Sequence, residues 1–295
     1  MHYRSVFRDG LFAGQSVVVT GGGSGIGRCT AHELAALGAR VALVGRKPEK
    51  LEAVQREIAA ANGGATTHGG SATIHPCDIR DEEQVCATVD AILAAHSRID
   101  GLVNNAGGQF PAPLRDISLK GWDAVVRTNL TGGFLMAREC YRRCMEANGG
   151  SIVNMSADMW GGMPGMGHSG AARAGMVNFT ETAACEWASS GVRVNAVAPG
   201  WIASSGFETY PEEFQQLAAT LKHKVPLRRF GTESEVAAAI VFLLSEAASF
   251  ITGTTIRIDG GVLNARPTWK LVAHKRSKPY NGFPLYAPPK FMVDE

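Results

Sequence analysis

Residues 16–38 constrain the fold more than any other part of the chain. A run of mostly β-branched residues, SVVVT (16–20), passes directly into Thr20-Gly21-Gly22-Gly23-Ser24-Gly25-Ile26-Gly27. Helical spacing follows, with Ala31, Leu34 and Ala35 on one face before Gly38. Glycines at such a junction permit a tight turn and a close backbone approach to a ligand. A helix that begins there aims its free N–H groups at an anion. Strand, glycine-rich turn and helix in that order predict a parallel sheet whose first turn is shaped for a diphosphate.

The rest of the chain repeats the alternation. VALV (41–44), ATIHPC (72–77), GLVN (101–104), SIVNM (151–155), VRVNAVA (192–198) and TIRID (255–259) read as strands. Between them, Leu51, Val54 and Ile58 have helical spacing, as do Val85, Val89 and Leu93, and 118–146 and 169–189 read as longer helices. Apolar strands alternating with helices give a parallel sheet covered on both sides. The expected fold is α/β: a single-domain Rossmann-type, doubly wound parallel sheet with helices on both faces, over residues 1–264. Residues 265–295 are proline-rich with little periodicity and are expected to be an extended tail. Trp269, Tyr280, Phe283, Tyr286 and Phe291 predict that this tail docks on the domain or on a neighbouring subunit.

Charge excludes several function classes. With 29 Lys+Arg against 27 Asp+Glu there is no basic stripe for nucleic acid, and 45% hydrophobic residues argue against disorder. No apolar run approaches 18 residues, so no membrane partner is expected. The first ten residues carry no apolar leader core, and Val293-Asp294-Glu295 is not a peroxisomal address, so the expected location is cytoplasmic. The six cysteines (29, 77, 86, 140, 144 and 185) form no Cys-x-x-Cys pair, so reduced buried thiols and no metal are expected.

The residues after the second strand choose the dinucleotide. An acid there would accept the ribose hydroxyls of NAD. Gly45 occupies that place, followed by Arg46 and Lys47, so no carboxylate repels a 2′-phosphate and a guanidinium is available to grip it. NADP(H) is therefore favoured over NAD(H). Asp78, after the third strand, reads either as a partner for the adenine amino group or as an exposed helix-entry residue.

With these residues in place, the chain resembles the short-chain dehydrogenases/reductases over about residues 11–264. The matching pieces are TGGGSGIG (20–27), Asn104-Asn105-Ala106-Gly107, Asn129 in TNL, Ser156 after the fifth strand, and Pro199-Gly200 after the sixth. The resemblance implies an NAD(P)-dependent oxidoreductase, commonly a homotetramer. It implies that Gly21, Ser24, Gly25, Ile26 and Gly27 surround the diphosphate and that Asn105, Ala106 and Gly107 line the adenosine side. Asn129 would support the active-site helix and a water. Pro199 and Gly200 would also border the cofactor, and Ile202 and Ser204 after them would hold the nicotinamide amide.

One departure matters more than these matches. The family's Tyr-x-x-x-Lys pair falls here on Ser169 and Arg173, in the run HSGAARAG (168–175). This variant is similar to that of the trans-2-enoyl-CoA reductase branch and of bacterial branches assigned to citronellol and citronellal oxidation. The usual tyrosine works because a lysine lowers its pKa from about 10. A serine needs another base at neutral pH, and an arginine cannot release a proton. Arg173 still brings a fixed charge that can bridge the nicotinamide ribose hydroxyls. The pair suits a conjugated double bond, where hydride enters at the β-carbon and charge gathers on a thioester oxygen. Ser156 and Ser169 are the candidate donors for that oxyanion, beside Arg173. Water or His168 would protonate the α-carbon, with Asp158 a weaker candidate, although a histidine in the place of His168 is more often a structural or helix-start residue than an acid.

Other readings stay open. Met155, Met159, Trp160, Met163 and Met166 form either an acyl or prenyl wall or ordinary packing. Lys222, Lys224, Arg228 and Arg229 either meet coenzyme A phosphates or form a solvated basic surface. The favoured substrate is a trans-2-enoyl-CoA. The alternatives are a terpenoid or fatty alcohol or aldehyde, and a dinucleotide-binding protein without catalysis.

Overall fold

The computed structural model describes residues 2–62, 70–206, 220–265 and 271–292. Its strands are β1 (Ser16–Thr20), β2 (Arg40–Gly45), β3 (Ser71–Pro76), β4 (Gly101–Asn104), β5 (Gly150–Met155), β6 (Val192–Pro199), β7 (Ile202–Ala203), β8 (Gly231–Thr232) and β9 (Thr255–Ile258). Its α-helices are α1 (Gly25–Ala36), α2 (Pro48–Asn62), α3 (Glu82–His96), α4 (Leu119–Val126), α5 (Gly132–Cys140), α6 (Glu146–Asn148), α7 (Gly167–Glu186) and α8 (Glu233–Leu244). Seven strands form one sheet in the order β3-β2-β1-β4-β5-β6-β9, and every pair in it is parallel. The strands found by pattern are present to within about a residue. The two-residue pair β7–β8 has no such pattern and went unforeseen.

Strand alternation explains the two layers. Val17 and Val19 of β1 pack with Leu34 of α1, Ile58 of α2 and Ile240 of α8 on one face. Val18, between them, packs with Val89 of α3, Met136 of α5 and Ala184 of α7 on the other. All five residues of β1 are buried, because helices cover both sides of a doubly wound sheet. The sheet order reverses between β1 and β4. The carboxyl ends of the strands diverge there and leave a crevice.

The stretch expected as one long helix is helical from Leu119 to Asn148, but it contains π-turns at Arg127–Thr131 and Tyr141–Met145. Such turns admit one extra residue, and they often mark functional positions. The first of them holds Asn129.

The tail lies against its own domain. Phe283 is buried against Tyr3 and His32, with the Arg28 guanidinium 5.1 Å from its ring centre. Arg4 N donates to Gly282 O at 2.9 Å, and Tyr280 Oη donates to Arg4 O at 2.6 Å. Phe291 meets Phe230 edge-on, and Tyr286 is half-buried beside them. Trp269 lies outside the described residues.

Under this cover is a buried carboxylate. Tyr3 Oη donates to Glu33 Oε2 at 3.1 Å and Ser5 Oγ to Oε1 at 2.8 Å. Burial nevertheless pushes the Glu33 carboxyl up to about 7. Glu233 is raised to about 7 for the same reason. A folded-state value above the unfolded one favours the protonated form. The resulting stability is complete below about pH 4.5 and is lost as pH rises through 7. Glu33 alone accounts for on the order of 3 kcal/mol of this change. Thermal unfolding measured from pH 4.5 to 8 is expected to show falling stability across that window. Glu33→Gln should flatten the fall in part, leaving the share that belongs to Glu233. An unchanged slope in the variant would count against the assignment.

Candidate active site

The crevice beside β1 is a cleft of about 220 Å³. Gly21, Ser24, Arg46, Lys47, Asp78, Ala106 and Gly107 line it. Gly21 adopts φ +67°, and a Cβ there would lie 2.8 Å from Asn105 Nδ2 and 2.9 Å from Ala106 Cα. The α1 N-terminus has no acid in its first turn, and the Ser24 side chain makes no cap bond. Arg46, Lys47 and Lys50 add positive charge around the opening. Bare glycine backbone, an uncapped helix start and a ring of cations fit a dinucleotide diphosphate.

Several expected cofactor residues take other positions. Asn105 turns its side chain into the loop, with Nδ2 donating to Thr20 O at 3.0 Å and to Gly21 O at 3.4 Å. It shapes the glycine turn, while Ala106 and Gly107 face the cleft. Gly25, Ile26 and Gly27 form the first turn of α1, directly after Ser24 of the cleft wall, and Ile26 also packs on the core. Asp78 lines the cleft, but its carboxylate is gripped by Arg80, with Nε to Oδ1 at 2.9 Å and Nη2 to Oδ2 at 2.5 Å. This guanidinium holds the Asp78 carboxyl below its usual range, so the acid is already committed to a cation rather than free for an amino group. Arg80, which no motif flags, is therefore part of the cleft wall. Pro199 ends β6, and Gly200, Ile202 and Ser204 follow. None of these four lines the cleft. Ile202 points into the core beside Gly231, and a Cβ on Gly200 would meet Asp259 Cα at 2.9 Å.

The second group of residues gathers where β5, the first π-turn and α7 meet. Ser156 Oγ donates to Arg173 O at 3.1 Å, which ties the end of β5 to α7. Arg173 Nη1 donates to Met155 O at 2.5 Å. A Cβ on Gly107 would lie 2.6 Å from Arg173 Nη2 and 2.9 Å from Asn129 Oδ1. Arg173 and Asn129 therefore both reach the wall of the dinucleotide cleft. The Asn129 amide accepts from Gly108 N and donates to Gly108 O, both at 2.9 Å, and so fixes the loop after β4.

Ser169 is fully buried, and its Oγ donates to Gln109 Oε1 at 2.5 Å. Gln109 was not singled out by the sequence, although it follows Gly107-Gly108 on the loop that Asn129 fixes. His168 is also fully buried. Its Nδ1 accepts the Ser169 N–H at 2.9 Å, so in a neutral ring the proton sits on Nε2. That Nε2 is buried with no hydrogen-bond partner among the described residues. Asp158 Oδ1 is likewise buried without a partner. Burial, followed by the charge of Asp259, raises its carboxyl, and Arg257 opposes them.

No described tyrosine occupies this place. Tyr3, Tyr280 and Tyr286 lie in the terminal packing, and Tyr141 stacks on Trp187. Tyr210 is outside the described residues. Of the methionine and tryptophan set, Met155 belongs to the core and Met166 is buried, while Met159 and Trp160 are half-buried and Met163 is half-buried beside Gly170. Among the described residues there is no cluster of three metal-ligating side chains, and no helix is long and apolar enough to cross a membrane.

Comparison with known proteins agrees with this geometry. Residues 21–263 match the family model described as enoyl-(acyl carrier protein) reductase. The citronellol catabolism dehydrogenase of Pseudomonas aeruginosa PAO1 is 62% identical. The match covers 88% of this chain and 99% of that one, with a TM-score of 0.78. The peroxisomal 2,4-dienoyl-CoA reductase of Danio rerio is 35% identical over 262 residues, 88% of this chain and 85% of its own length. A glucose 1-dehydrogenase of Gluconobacter oxydans is 39% identical over 257 residues, 85% of this chain and 92% of its own. The parallel sheet with its glycine turn, the Asn129 brace and these relatives agree: the chain belongs to the short-chain dehydrogenase/reductase family of oxidoreductases.

Proposed function

We propose that the protein is an NADPH-dependent reductase of the conjugated double bond in trans-2-enoyl-CoA substrates. The observation that carries this reading is the pair Ser169 and Arg173, buried at the reacting end with no described phenol beside them. A bound reduced nicotinamide supplies hydride. Gly21, Ser24 and the α1 N-terminus would hold its diphosphate, and Arg46 and Lys47 the 2′-phosphate. Arg173, against Gly107, would face the ribose and keep its charge at every working pH.

These side chains are suited to steadying an anion. When charge forms on the thioester oxygen, the Ser156 and Ser169 hydroxyls are the donors to it, released from Arg173 O and Gln109 Oε1. Gln109 acts by keeping the Ser169 hydroxyl aimed until substrate arrives. His168 Nε2–H, its ring fixed by the Ser169 N–H, would give the proton to the α-carbon and regain one from water. Asn129 holds the loop that carries Gln109.

Incubation with NADPH and crotonyl- or decenoyl-CoA is expected to consume the nicotinamide absorbance and give the saturated thioester. Ser169→Ala should lower kcat by about 100-fold with little change in KM, because a transition-state donor is removed. A second reading, oxidation or reduction at the hydroxyl or aldehyde carbon of a terpenoid, is supported by the 62% identity to the citronellol catabolism dehydrogenase. Turnover of citronellol or citronellal with no reduction of either thioester would replace the first reading with the second.

A further inference from the structure

We infer that residues 222–229 and 274–278 together form a binding surface for the phosphoadenosine end of coenzyme A, a proposal that rests on the thioester reading above. Seven of the chain's 29 lysines and arginines fall in these two short segments, and none of its 27 acids does. The chain as a whole is nearly neutral, so the concentration is local.

The fold draws the two segments together despite their like charge. The Arg228 guanidinium donates to His223 O, Leu271 O and Val272 O. His274 Nε2 meets Pro226 O at 3.0 Å, and Arg229 Nε donates to Ser277 Oγ at 2.9 Å. The tail is thus fastened mostly through backbone carbonyls and a hydroxyl, which leave the cationic charge unneutralised. Glu235 pairs with Arg229 at 2.6 and 2.8 Å. Lys224, Lys275, Arg276 and Lys278 remain exposed around the join. Gathering cations in this way costs energy unless an anion occupies the site.

The shape suits a purine carrying phosphates. A cleft of about 440 Å³ lies between the segments, with Phe230 and Tyr286 in its lining beside Arg228, Arg229, His274 and Lys275. Aromatic faces offer a base a stacking surface, and the cations match phosphate oxygens. The position also fits. Leu227 N donates to Gly260 O at 3.3 Å, so the surface abuts the carboxyl end of β9, next to β6 and then β5, which leads to Ser156. The dinucleotide cleft lies beyond β1, β2 and β3, on the other half of the sheet. An anion held here is therefore distinct from the dinucleotide phosphates.

Calorimetric titration with adenosine 3′,5′-bisphosphate reads this surface without turnover. Saturable binding is expected, weakened by added salt. It should weaken about tenfold in the triple variant Lys275→Glu, Arg276→Glu, Lys278→Glu, while NADPH affinity and Tm stay unchanged. In turnover, the triple variant should raise KM for decenoyl-CoA about tenfold. KM for the N-acetylcysteamine thioester, which lacks phosphates, should not move. No binding of the bisphosphate by the wild type, or equal binding by the variant, would overturn the surface. If neither thioester is reduced, the thioester reading fails alone, and the bisphosphate titration still decides the surface.

Discussion

Gly27→Ala is expected to lose dinucleotide binding almost completely and to unfold at a lower temperature. A Cβ at this position would sit 2.4 Å from Gly21 O and 2.4 Å from Asn105 Nδ2. Neither atom is the loose end of a flexible chain. Gly21 N is held by Val44 O at 2.8 Å, and Asn105 Nδ2 by Thr20 O at 3.0 Å. Relief requires the glycine turn to move off the start of α1, which is the surface that would meet the diphosphate. Overpacking of this kind costs about 1–3 kcal/mol, and the same displacement should raise the Kd for NADPH about 100-fold. Gly108→Ala is the control, because a Cβ there has nothing within 4 Å. Fluorescence titration and thermal unfolding of both variants check the result. Wild-type affinity in Gly27→Ala would refute the placement of the diphosphate.

Arg173→Met should lower kcat/KM for the enoyl thioester by about 100- to 1,000-fold, the range for loss of a fixed charged donor at a reacting centre. Methionine is apolar and of similar length, so the change removes charge and donors more than volume. Met155 O would lose the Nη1 hydrogen bond and stay buried, which costs about 1–3 kcal/mol of stability. Arg173→Lys retains charge but not the fork that reaches Met155 O and Gly107 together, so its activity should fall between the two. Single-turnover rates and NADPH titration separate a binding defect from a chemical one. Activity of Arg173→Met within about threefold of wild type would remove Arg173 from the mechanism.

The fold was legible because burial on two faces leaves β-branched runs such as SVVVT and VALV with little polar interruption. The glycine turn was legible because only glycine tolerates the approach of Asn105 to Gly21. The site was legible by position: Ser156, Ser169, Arg173 and Asn129 do converge on one corner. Their partners were not. Gln109 and Arg80 carry no motif, because any residue with the right reach can supply a hydrogen bond across a loop. Asp78 reads as a free acid in sequence, and only the fold brings Arg80 onto it. The π-turn that seats Asn129 depends on one extra residue in a helix, which a period of 3.6 averages away. β7 and β8 are too short for any alternation to show.

Asn105 grips a carbonyl 85 residues earlier in the chain. The whole glycine fingerprint leaves the ribosome long before the residue that sets its shape. A nascent chain ending at residue 62 would contain strand, turn and helix and still lack the side chain that shapes the turn. A glycine turn of the right shape must therefore wait until β4 has slotted in beside β1, so the dinucleotide cleft is completed by a later part of the chain than the part that carries its fingerprint.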